Sequence, residues 1–314
     1  MDWIDRIGRR VKLRDLHILL TVTQSGSMGR AAAALSISQP VISKAIAELE
    51  SSLGVRLFDR TAQGIVPTAY GRAMIASSRA VFDELQQGVK AIEFLADPTA
   101  GHLHIGSTES GAIGLVPLVI ERLLQRHPHV QFHVTTADPV TLTAVDLPRR
   151  SIEIAMSAIP TELPADIEAE PLFEDRQVIM AGAHSPWSRR RKLKLEDLQD
   201  ACWVLPPLDS PARRYIDEAF AAQGLGPPVA RVSTFSTPLC HQLLATGRYL
   251  AILPREASRL ARGLSIKPLA VDFPGIERLI GILTLKNRTL SPLARLFMQA
   301  ARLSAKAASL RPPP

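Results

Sequence analysis

The feature that most constrains this chain is a three-residue break, Ser36-Ile37-Ser38, between two stretches of helical pattern. Upstream, Leu13, Leu16, Leu19 or Leu20, and Thr23 recur at three- and four-residue spacing, and Gly26 is suited to a helix C-cap. Ser27 then offers an N-cap to a second short helix through Met28 and Ala31-Ala32-Ala33-Ala34, whose small side chains let a neighbouring helix approach closely. After the break, Ser38 is placed to cap a third helix, with Pro40 in the first turn, where a missing N–H costs nothing. Val41, Ile42, Ile46, Leu49 and Leu53 form its expected buried side, and Gly54 ends it.

Two helices joined so tightly make a helix-turn-helix, or else an ordinary helical hairpin with a solvated face. The next residues separate these readings. Residues 55–61 read as a strand, Ala62-Gln63-Gly64 as a turn and residues 65–68 as a return strand, which is the pattern of a wing. In a winged helix-turn-helix the third helix enters the major groove with its N-terminal residues, here Gln39, Ser43 and Lys44. Arg60 on the wing is the expected phosphate or minor-groove contact.

The run from Ser25 to Gly71 resembles the DNA-binding domain of LysR-type transcriptional regulators. The likeness rests on Ala31-Ala32, Leu35, Ser38-Gln39-Pro40, Ser43, Ile46, Leu49-Glu50, Leu53-Gly54, Leu57-Phe58, Arg60, Thr68 and Gly71. It implies double-stranded promoter DNA as partner, with Arg30, Ser38, Gln39, Pro40, Ser43, Lys44 and Arg60 at the interface. Ala62-Gln63 stands where an additional arginine is frequent, and Tyr70 departs from the usual residue before Gly71.

Charge agrees with this reading without proving it. The formal net charge is +7 and the pI about 9.8, yet residues 1–72 carry ten Lys/Arg against six Asp/Glu, leaving part of the excess elsewhere. With 46% apolar and 21% charged residues over 314 positions, the chain has the composition of two or three folded domains. Met1 to Arg10 lacks the apolar stretch of a secretory signal, and no apolar run is long enough for a membrane span, so a cytoplasmic protein is expected.

From Ala69 to Leu95 no proline occurs, and Ile75, Ser78, Phe82, Leu85, Val89 and Ile92 fall at heptad steps. A helix of roughly 40 Å results. It packs on its own domain or pairs with its twin, and the resemblance implies a homodimer through this helix and a homotetramer in the complete assembly. A regulator of this kind can also meet RNA polymerase. Residues 97–101 read as a hinge.

Beyond the hinge, strands and helices alternate, which predicts a parallel α/β sheet with ligands at the strand C-terminal ends. The expected domains are a winged helix-turn-helix at 1–70, a linker helix at 71–96 and a two-lobed α/β domain at 102–314. This last part resembles the periplasmic-binding-protein-like effector domain of the same family, with lobe I at 102–172 and 272–305 and lobe II at 173–271. Ser107, Thr108 and Ser110, at a strand-to-helix turn, are suited to a small organic anion. Thr136, Asp138 and the turn Pro206-Pro207-Leu208 are expected to close the cleft, and Phe235, Ser236 and Thr237 to line its floor.

Rival chemistry is weakly supported. The run Gly106-Ser107-Thr108-Glu109-Ser110-Gly111 does not satisfy the nucleophile-elbow pattern, and phosphate-cradling glycine loops are missing, so neither an enzyme nor a cofactor is expected. His127, His129 and His133 lack the accompanying Cys or carboxylate cluster of a metal site. Cys202 and Cys240 read as structural thiols rather than a redox pair, and residues 188–192 as a solvated basic loop. A winged helix kept only for protein contact is the remaining alternative.

Overall fold

In the computed structural model the chain divides into two compact units, Met1–Val89 and Lys90–Pro314. The structure describes residues 10–61, 64–190, 192–260, 263 and 265–308; the side chains of Arg60, Thr61 and Pro211 lie outside that description, as does the wing tip at Ala62 and Gln63.

The first unit holds α1 (Leu13–Ser25), α2 (Met28–Ala34), α3 (Gln39–Leu53), β1 (Phe58–Thr61), β2 (Gly64–Pro67) and the start of α4 (Ala69–Ala96). Ile18, Leu19, Val22, Ala31, Ile42, Ile46, Leu49 and Leu57 make its core. Gly26 and Gly54 end α1 and α3 in the left-handed conformation that only glycine adopts cheaply. Leu13 and Val41, both expected on buried faces, are exposed; Ile18 and Ala45 take up the apolar stripes instead. Neither Ser27 nor Ser38 makes the side-chain cap expected of it, although both have extended N-cap backbones. The wing strands pair antiparallel, and Ile65 N–H donates to Gly26 O, fastening β2 to the end of α1.

In the second unit, α4 ends at Ala96 and β3 begins at Ala100, so the expected hinge contributes its last two residues to a strand. The elements continue as β3 (Ala100–Ser107), α5 (Glu109–Ile113), α6 (Leu115–Leu124), β4 (His129–Thr136), a helical turn at Pro139–Thr141, β5 (Ile154–Ala158), β6 (Ile167–Gly182) and β7 (Cys202–Leu205). Then come α7 (Pro211–Ala221), β8 (Ala230–Ser233), α8 (Thr237–Ala245), β9 (Tyr249–Pro254), α9 (Arg255–Leu260), β10 (Ile266–Pro268), β11 (Glu277–Leu285) and α10 (Pro292–Ala307).

The strand order is β4-β3-β5-β11-β6-β9-β7-β8, with β10 beside β6. The sheet is mixed, not purely parallel as expected. β3 lies parallel to β4 and β5, and β7 to β8 and β9, but β11 and β6 run antiparallel to their neighbours. The physical reason is β6. Its first part pairs with β11 and its last with β9, so one strand serves both lobes. Separate cores follow, the larger ones built from Leu103, Ile105, Val119, Ile154 and Phe297 and from Ile179, Trp203, Phe220 and Leu250, with smaller clusters around Leu142 and Leu283 and around Val204 and Leu244.

Candidate nucleic-acid interface and effector cleft

On α3, successive residues turn by about 100°, so Pro40, Ser43, Lys44 and Ala47 share a face opposite Ile42, Ala45, Ile46 and Leu49. The second set is buried; in the first, Pro40, Lys44 and Ala47 are exposed and Ser43 is half-buried. Ser38 and Gln39 are also exposed at the start of the helix, and Arg30 on α2. Gly29 of α2 lies beside Gln39, at a spacing where an added Cβ would make only an ordinary 3.5 Å contact with Gln39 Oε1. Lys44 approaches Glu48 at 3.8 Å with its side chain 79% exposed, a surface contact too weak to hold it away from a phosphate. Arg60 lies on β1, opposite Ile65.

Below this face the family motif has a mechanical role. Glu50 Oε1 accepts from Leu57 N–H at 2.6 Å and Phe58 N–H at 3.3 Å, joining α3 to the entry of the wing. Thr68 Oγ1 donates to Arg56 O and accepts from Gly71 N–H, which closes the far end of the wing onto α4.

On α4, Ile75 and Ser78 of the expected seam are buried and Phe82 packs beside His17. Farther along, Leu85, Val89 and Ile92 are 50%, 53% and 69% exposed, an apolar stripe left uncovered by the described residues.

In the second unit a cavity of about 170 Å³ opens between the lobes. Ser110, Pro206, Phe235 and Thr237, all named from the sequence, line it; Thr108 caps α5 and sits 3.2 Å from the Ser110 hydroxyl. The other expected residues do not line it. Ser107 is fully buried, its hydroxyl donating to Thr108 O, and Gly111 leaves it room. Asp138 spends its carboxylate on the turn that follows, accepting from Val140 N–H, Thr141 N–H and Thr141 Oγ1–H. The Thr141 hydroxyl, foremost, holds it below the usual carboxylate range. Thr136 is exposed at the end of β4 and Leu208 is 73% exposed; of the turn Pro206-Pro207-Leu208, Pro206 alone lines the cavity. Ser236 caps α8 and accepts from Leu239 N–H.

The cavity also gathers side chains that sequence spacing did not single out for it: Gln177, Tyr215, Thr234, Cys240 and Arg278. Arg278 is half-buried, and among the described residues its guanidinium has no hydrogen-bond or ion-pair partner. It arrives through the pairing of β11 with β6, a contact between segments about a hundred residues apart, for which no local signal exists. Cys240 is a protonated thiol: burial, and after it the Glu109 carboxylate, push it up to about 11.

The comparisons with known proteins agree with this organisation. Residues 13–72 match the family model described as bacterial regulatory helix-turn-helix protein, lysR family, and residues 96–305 the LysR substrate binding domain. The chain is 30% identical over 298 residues to the HTH-type transcriptional regulator GbpR of Azospirillum brasilense, covering 93% of this chain and 86% of that protein. It is 29% identical to GalR of Pseudomonas putida, over 92% of this chain and 73% of the relative. Among solved structures, a full-length OxyR variant from Pseudomonas aeruginosa has a TM-score of 0.66 at 22% identity, covering 93% of this chain and 95% of that one. CbnR, a LysR family transcriptional regulator, has a TM-score of 0.61 at 21% identity over 94% and 99%. No helix among the described residues is long and apolar enough to cross a membrane. With both family models matched in order along one chain, this protein belongs to the LysR family of DNA-binding transcriptional regulators with a substrate-binding effector domain.

Proposed function

We propose that this regulator answers to a small organic anion held in the inter-lobe cavity against Arg278, and that the bound anion alters how paired DNA-binding units sit on a promoter. The observation that carries the reading is the unpartnered Arg278 guanidinium lining that cavity. A half-buried cation without a counter-charge gains most from a ligand that supplies one, and guanidinium binds carboxylates bidentately. Ser110, Thr234 and Tyr215 add hydroxyls to orient the ligand.

The DNA-contacting set we propose is Arg30, Ser38, Gln39, Pro40, Ser43, Lys44 and Arg60, with Gln39 reading a base edge and Lys44 a phosphate. The exposed stripe of α4 supports a homodimer, which would present two such helices to an inverted-repeat site. Dimers pairing into a homotetramer, contact with RNA polymerase, and action in the cytoplasm without catalysis or cofactor complete the reading. For the anion to act, it must bind one arrangement of the lobes better than the other. The domain limits we use, lobe I at 102–172 and 272–305 and lobe II at 173–271, follow from the same division.

Electrophoretic retardation of the DNA upstream of the gene tests the first half. Affinity should fall steeply with salt, and Lys44→Ala should weaken binding at every sequence while lowering the salt slope by about one. For the second half, organic acids are screened for a change in footprint. Arg278→Gln should abolish any response while leaving basal DNA binding intact; a response unaltered by that substitution would move the site elsewhere.

A further inference from the structure

We propose that Glu109 makes the cavity bipolar, so that its ligand carries an acid group at one end and a hydrogen-bond donor, hydroxyl or ammonium, at the other. The inference rests on the effector reading of this cavity and narrows it to hydroxy acids and amino acids.

Glu109 is the first residue of α5, next to Ser110, which lines the cavity. Its Oε2 accepts from the backbone N–H of Thr237 at 2.5 Å, at the start of α8 in the second lobe. A carboxylate of the chain itself therefore occupies the helix start where a free anion would otherwise be welcomed. The side chain is half-buried, and among the described residues its Oε1 accepts no hydrogen bond. Its neighbours Ser110, Thr237 and Cys240 all line the cavity, and its charge is felt at the Cys240 thiol.

Arg278 lines the same cavity from β11, beside Gln177 of β6. Glu109 and Arg278 form no ion pair with each other. Arg278 thus lines the cavity, and Glu109 stands at its edge, bonded to the lining residue Thr237 and next in sequence to the lining residue Ser110. A monoacid with a donor at its far end satisfies both. A diacid satisfies Arg278 but brings its second carboxylate towards Glu109, a like-charge approach in a partly desolvated site. Selectivity between them is the expected result.

The test uses the full-length protein and three probes built on one four-carbon chain: 4-aminobutyrate, 4-hydroxybutyrate and succinate. Binding is read by calorimetry and by thermal unfolding. The wild-type protein should bind 4-aminobutyrate or 4-hydroxybutyrate at least about tenfold tighter than succinate, a gap of about 1.4 kcal/mol. Glu109→Gln, which keeps size and an acceptor but removes the charge, should bring that ratio towards one. Arg278→Gln should weaken all three. The wild-type ratio needs no variant, so a folding defect in Glu109→Gln leaves it decisive. Preference for succinate in the wild type, or a ratio unmoved by Glu109→Gln while Arg278→Gln still abolishes binding, overturns the role of Glu109 and leaves the anion reading standing. Absence of binding by every probe, or binding indifferent to Arg278→Gln, overturns both.

Discussion

The carbonyl oxygen of Leu57 lies where a side chain on Gly71 would have to go: a Cβ built there would stand 2.0 Å from it. Leu57 enters the wing and Gly71 lies in the first turn of α4, so the contact sets how closely wing and helix approach. Gly71 is needed here for space, not for an unusual backbone angle.

Gly71→Ala should therefore destabilise the N-terminal unit by about 1–3 kcal/mol, the usual cost of forced overpacking. Thermal unfolding of the full chain, followed with DNA retardation, checks it. Unchanged stability and unchanged DNA binding would show that the backbone yields without consequence.

Leu85, Val89 and Ile92 lie along the exposed flank of α4, at the expected heptad steps. A charge placed there costs little in the isolated chain but much in a paired apolar seam. Val89→Glu should raise the dimer dissociation constant at least about a hundredfold in sedimentation equilibrium, with little change in the far-UV dichroism. Wild-type and variant protein sedimenting alike would exclude this stripe as the dimer contact.

The two halves of the chain differed in how much of them could be read in advance. Residues 13–71 were legible because their interactions are short in sequence: Gly26 and Gly54 end the helices beside them, and Glu50 reaches only seven and eight residues onward, to Leu57 and Phe58. The cavity was legible only where a residue sits on a local turn, as Ser110 and Phe235 do. Asp138 offered the same local signal and proved to be a cap, because neighbouring N–H groups compete successfully for a short carboxylate. Gln177 and Arg278 were invisible. Residues 177–182 and 279–285 carry a strand pattern, but it does not say which side chain meets a cavity, and the charges of Glu168, Glu170, Glu174 and Arg176 hide the first part of β6, whose partner β11 is distant in sequence.

Cys240 is expected to be inert at ordinary pH. With its thiol pushed up to about 11, first by burial and then by Glu109, only about one molecule in a thousand carries the thiolate at pH 8. Iodoacetamide should label it at least about a hundredfold more slowly than an unperturbed thiol, and labelling should accelerate as pH rises towards 11. Peptide mapping after timed alkylation distinguishes it from Cys202. Rapid labelling at pH 8, or a Cys202–Cys240 disulfide after mild peroxide treatment, would revive a redox role.

Asp175 gives the effector domain a pH signature. It lies on β6 and accepts from Glu256 N–H at 2.9 Å and Ala257 N–H at 3.2 Å, at the start of α9. Burial outweighs these bonds and pushes its carboxyl up to about 6, from an ordinary value of 3.8. Because the folded form holds the proton more tightly than the unfolded form, the contribution of this group is fully present below about pH 4 and lost as pH rises through about 6. Asn cannot ionise, and it brings an NH₂ where one of the two backbone donors expects an acceptor, so Asp175→Asn carries a fixed cost at all pH values. The difference between wild type and variant should nevertheless drift against the wild type by roughly 2 kcal/mol between pH 4 and 7, since each pKa unit is worth about 1.4 kcal/mol. Urea unfolding followed by tryptophan fluorescence, which reports on the buried Trp203, measures that drift. Parallel pH profiles for the two proteins would mean that Asp175 titrates as an ordinary carboxylate and that water reaches it in solution.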